Sequence, residues 1–108
     1  MSIPQTVIDF LARQDARYEV SHHPHTSSSW QTVIATHVDP ACFAKGVLLH
    51  DKEGYFLAVV PASKRVNVTL LAKEFGHRPE MVIEADLPRI FPDCERGALP
   101  ALGAAYGL

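Results

Sequence analysis

The stretch "CFAKGVLLH", residues 42–50, sets a primary amine inside an apolar run. With the side-chain period of a strand, Phe43, Lys45, Val47 and Leu49 share one face, and Ala44, Gly46 and Leu48 share the other. The ordinary use of such a lysine is to pack its stem on the sheet and keep its ammonium in water. Its chemical use is to aim the amine into a pocket, where it binds a phosphate, polarises a carbonyl or orients a water. Gly46 beside it marks a place where a ligand or a second backbone can come close.

Other residues with chemical capacity are weaker candidates. His22, His23 and His25 cluster in "HHPH", and His37 and His50 are within folding reach. Their spacing does not place two ligands on one helix, and no cysteine pair completes a zinc set, so no metal site is expected. Ser63, in "PASKR", lies outside any G-x-S-x-G elbow and reads as a turn serine capping the next helix. Lys64, Arg65 and Lys73 make a small basic patch whose usual role is a solvated face. Cys42 and Cys94 form no CxxC and read as small buried residues rather than nucleophiles. No glycine pattern matches a dinucleotide or phosphate loop, so no cofactor is expected. "GALPALG", Gly97 to Gly103, is too apolar for an exposed linker. Its glycines and proline can fix a loop whose backbone N–H groups cradle a carbonyl or an oxyanion, the alternative being a plain coil.

The elements that must position these residues follow from pattern. Residues 4–14 read as a helix with Pro4 in its first turn and Val7, Phe10 and Leu11 on one stripe. "RYEVSH" alternates as a short strand. The serines after "HHPH" cap a helix from about Ser29 to His37, with Trp30, Val33 and Ile34 inward. Residues 43–49 and 55–60 form strands joined by a polar, glycine-containing loop, a hairpin signal. Asn67 caps a helix that runs to Phe75 and is closed by Gly76. "EMVIE" is a short strand, residues 85–91 a short helix around Pro88, and the segment from Phe91 onward a loop. Helices and hairpin strands mix without βαβ alternation, which predicts an α+β fold.

The chain of 108 residues makes one domain, residues 1–108, with ordinary globular composition of 47% hydrophobic and 20% charged residues. A net charge of −2 is not that of a protein gripping long nucleic acid, though it allows a basic rim on one end of a polyanion. Cysteine use fits a reducing cytoplasm. The N-terminus has no signal-peptide pattern, and no apolar run is long enough to span a membrane.

Three blocks occur in order: "YEVSHHPHTSS", "AKGVLLHDKEGYFLAVVPASKRVNVTLLAKEFG" and "GALPALG". Together they resemble the YbaK-type aminoacyl-tRNA deacylases, relatives of the editing domain inserted in bacterial prolyl-tRNA synthetases. The resemblance implies a mixed, partly barrel-like sheet flanked by helices. It also implies a hydrolase of translation quality control, acting in trans on the ester that joins a wrong amino acid to a tRNA 3′ end. The partners implied are a mischarged tRNA acceptor end and a delivering aminoacyl-tRNA synthetase. In the family the strand lysine is the key functional residue, matched by Lys45. The loop matched by Gly97, Ala98, Leu99 and Pro100 lines the aminoacyl pocket. His23 and Thr26 match a pocket-edge segment, and Ser63 the turn after the second strand. The resemblance also implies that the substrate's own ribose hydroxyl helps to activate water, so that no acid–base partner for Lys45 is required. Family members continue past the loop with another strand and helix, whereas this sequence stops at "AAYGL". The expectation is therefore a sheet with an open edge, which a second copy would cover as a homodimer. A binding module on the same fold, holding a tRNA end, a nucleotide or a synthetase without hydrolysis, is the alternative.

Overall fold

In the computed structural model, which describes residues 3–26, 28–95 and 98–108, Ala44–Asp51 (β1) pairs antiparallel with Gly54–Pro61 (β2). The turn is two residues long because Asp51 Oδ1 accepts the Glu53 N–H at 2.8 Å and Gly54 takes φ +130°, open to glycine alone. On its other edge β1 pairs with the short Glu80–Met81 strand (β3), Leu49 opposite Met81 and His50 opposite Glu80. The sheet order is β2-β1-β3. Four helices flank it: Gln5–Arg13 (α1), Ser29–Thr36 (α2), Val68–Phe75 (α3) and Leu87–Ile90 (α4). The α+β expectation therefore holds. None of the described helices is long and apolar enough to cross a membrane.

Local chemistry sets the helix ends. Ser28 Oγ accepts the Gln31 N–H at 3.2 Å, and Asn67 Oδ1 accepts the Leu70 N–H at 3.0 Å, each satisfying an otherwise orphaned donor. The cap on α3 is thus Asn67; Ser63 is not used for it. Gly76 closes α3 with φ +75°.

The two faces of the hairpin carry different layers. The face of Lys45, Val47, Leu49 and Asp51 receives the end of α3: Phe75 meets Phe56 edge-on at 5.2 Å, and His77 Nε2 bonds Asp51 Oδ2 at 2.7 Å. That bond holds the Asp51 carboxyl below its ordinary range. The face of Gly46, Leu48 and Leu57 receives the C-terminal segment, where Gly103 lies against Leu57 and Leu108. Among the described residues Val7, Val33, Leu48, Leu49, Pro79 and Phe91 are buried apolar residues.

Four expectations need correction. Cys42, read as a small buried residue, is exposed, and the "EMVIE" strand is only Glu80–Met81. Residues 17–22 form no strand; alternation alone does not make one when no neighbouring backbone is in reach of its N–H and C=O groups. Along α2 only Val33 is buried, while Trp30 is 55% and Ile34 60% exposed. The helix is short and touches its neighbours along one narrow line, so residues flanking that line stay in water.

Candidate functional site

A half-open cavity of about 720 Å³ lies on the Gly46 face of the sheet. Its walls come from four places in the chain. Ser28 and Ser29 contribute the start of α2, Gly46 contributes β1, and Leu99 contributes the loop after residue 97. The fourth wall is the stretch from Val82 to Glu95, including Glu84, Leu87, Phe91 and Cys94. The serines are present because the helix starts there, and the first N–H groups of α2 give that end a partial positive charge. Gly46 is present because nothing larger fits easily. A Cβ at position 46 would lie 3.2 Å from the Pro100 carbonyl oxygen and 3.1 Å from Leu57 Cδ1.

The expected site residues divide into those at the cavity and those away from it. Leu99 lines it, and the Pro100 carbonyl lies against Gly46 without Pro100 itself lining the cavity. Ala98 is exposed, its N–H donating to the Glu95 carbonyl at 3.1 Å. Gly97 lies outside the described residues. Thr26 acts at one remove. Its hydroxyl is 2.6 Å from that of Thr32, which itself donates to the Ser28 carbonyl at 3.0 Å, so the "HHPH" loop is tied to the start of α2. His23 is half-buried, with Nδ1–H donating to the Pro24 carbonyl at 2.7 Å. Ser63 is exposed, and its backbone N–H donates to the Pro40 carbonyl at 3.3 Å.

Lys45 is half-buried in β1, opposite Val60. Strand alternation sends its side chain from the face opposite to that of Gly46. Its ammonium has no ion pair or hydrogen bond among the described residues. The edge of β1 beside it is not covered by β3, whose pairing reaches only Leu49 and His50.

Sequence reading missed the Val82–Glu95 wall, because its apolar residues follow no regular period. The spacing of Leu87 and Phe91, four apart across α4, was the available signal. Behind this wall lies a polar cluster. Asp93 Oδ2 accepts from both the hydroxyl and the backbone N–H of Thr6, at 2.6 and 3.1 Å. Asp93 Oδ1 accepts from the Tyr106 hydroxyl at 2.8 Å, and Cys94 Sγ lies 3.3 Å from that hydroxyl. The Thr6 hydroxyl, then that of Tyr106, hold the Asp93 carboxyl down to about 2. Burial pushes the Cys94 thiol up, so it is protonated at neutral pH and a poor nucleophile.

The cavity thus has an apolar base, carboxylates from Glu84 and Glu95, and a helix start at its other end. No histidine lines it, and among the described residues no group of three His, Cys, Asp or Glu is placed to hold a metal ion. Such a space can bind and orient a small ligand that has an apolar part and a polar end. No curated protein gives a significant match to the chain. A family model described as an aminoacyl-tRNA editing domain matches residues 23–108, which include every wall of the cavity and leave out only α1 and the segment that follows it. The chain therefore belongs to the aminoacyl-tRNA editing domain family, and its role is in aminoacyl-tRNA editing.

Proposed function

We propose that this chain hydrolyses the ester between a wrong amino acid and the 3′ end of its tRNA, acting in trans as a cytoplasmic deacylase. The observation that carries the reading is the convergence of Gly46 and Leu99 on one cavity within the family-matched region, with the Pro100 carbonyl packed against Gly46. The aminoacyl group sits in that cavity, with the terminal adenosine at its mouth. Lys45 is the catalytic residue. Its flexible four-carbon stem rounds the uncovered edge of β1, bringing the ammonium to the ester carbonyl or the terminal phosphate. The ribose hydroxyl of the substrate orients the attacking water, and the protein contributes position and charge. A net charge of −2 suits a footprint limited to the acceptor end, with a synthetase delivering the tRNA.

The test is release of amino acid from a panel of mischarged tRNAs, with Lys45→Ala alongside. Release by the native chain, slowed about 100-fold or more in the variant, is the expected result. Failure to deacylate any member of the panel would overturn it.

A second reading is favoured by one observation, the departure of the Lys45 side chain from the face opposite the cavity. On this reading the domain holds an aminoacyl-tRNA end without hydrolysing it. Saturable binding of the charged acceptor end with no release would select it.

A further inference from the structure

Building on the reading that the cavity receives an aminoacyl ester, we propose that it selects amino acids with an apolar side chain and a free α-amino group. The side chain is seated against Leu87, Phe91 and Leu99, and the ammonium lies at the Glu95 carboxylate.

The base of the cavity is hydrocarbon. Phe91 is only 2% exposed, and its ring is held 4.7 Å from that of Tyr106, so this surface is fixed before any ligand arrives. Leu87 and Leu99 extend it. The neighbouring thiol of Cys94 already faces the Tyr106 hydroxyl at 3.3 Å. A charged side chain placed against this hydrocarbon loses its hydration. A hydroxyl is rejected less strongly, by a factor of about 100 at most.

The wall beside this base is acidic, through Glu84 and Glu95. Among the described residues the ion-pair partner of Glu95 is the His25 ring, whose Nδ1 is 3.8 Å from Oε2, too far for a hydrogen bond. The carboxylate therefore keeps acceptor capacity for an ammonium, and it repels an aspartyl or glutamyl side chain. A cavity of about 720 Å³ is larger than any single side chain, so it sorts by chemical class and only loosely by size.

The test uses binding, so that it does not depend on hydrolysis. Non-hydrolysable 3′-aminoacylamino adenosines are titrated calorimetrically into the full chain: leucyl, aspartyl and N-acetyl-leucyl. The leucyl compound is expected to bind about 10-fold or more tighter than either of the others. Glu95→Gln should equalise the leucyl and N-acetyl-leucyl compounds, and Leu99→Asn should weaken the leucyl compound by about 10-fold. Equal affinity for all three in the native chain, no binding of any, or a Glu95→Gln variant that keeps its preference for the free amine would each overturn the proposal. Class-selective binding without deacylation of tRNA would leave the proposal standing and remove the hydrolytic reading. Deacylation without class-selective binding would do the reverse.

Discussion

The carbonyl oxygen of Pro100 lies so close over Gly46 that a Cβ added there would come within 3.2 Å of it. This contact joins the strand to the cavity loop, and it brings together two regions that sequence alone leaves unconnected. Backbone is on one side and the side chain of Leu57 on the other, so little can give. Gly46→Ala is expected to cost about 1 kcal/mol of stability, and Gly46→Val about 1–3 kcal/mol. Both should raise KM for aminoacyl-tRNA by displacing the loop. Urea denaturation and steady-state deacylation check the two effects, and an Ala variant with native KM would show that the contact is not part of the site.

Lys45→Ala should leave the fold nearly unchanged, because the ammonium has no partner among the described residues and only the stem is packed. A loss of stability under about 1 kcal/mol is expected. Turnover should fall about 100-fold or more. Single-turnover deacylation at saturating enzyme separates this from weakened binding, and a Lys45→Ala protein with native turnover would remove the catalytic role.

Asp93 makes stability depend on acid in a defined window. Its carboxyl is held down from an ordinary 3.8 to about 2 in the folded chain. A group depressed on folding stabilises fully above its unfolded value and loses that contribution as pH falls towards its folded value. Asp93→Asn should therefore melt below the native chain by a constant margin above about pH 5, and the margin should vanish between about pH 4 and pH 2. Because Asp51 is depressed too, the difference between the two proteins is the quantity to follow. Thermal unfolding across this range checks it; a margin unchanged at pH 2 would mean that the bonds to Thr6 and Tyr106 do not hold the carboxylate.

Thr26→Val removes the hydroxyl that ties the "HHPH" loop to α2 through Thr32. The lost bond should cost about 0.5–1.5 kcal/mol. The start of α2 lines the cavity, so KM should rise while kcat stays near its native value. Chemical denaturation together with a kcat and KM determination tests both, and a fall in kcat alone would contradict a positioning role.

What the sequence determined by itself was set by interactions a few residues long. The cap of Asn67 on α3, the glycine that ends that helix and the existence of the β1–β2 hairpin are satisfied within their own neighbourhoods, so residue type and spacing were enough to read them, though the pairing runs on to Asp51 and Gly54 inside the expected loop. Alternation likewise sorted Lys45 from Gly46, but it could not say which of their faces would meet the cavity. That was decided by which side the C-terminal segment and which side α3 came to cover. The same limit applied to α2, where Trp30, Val33 and Ile34 look alike in pattern and only Val33 found a neighbour to bury it. It applied most to Asp93 and Thr6, 87 positions apart, whose bond closes the chain on itself behind the cavity wall. Such contacts depend on the sum of all the packing between them, and a local reading of sequence does not contain that sum.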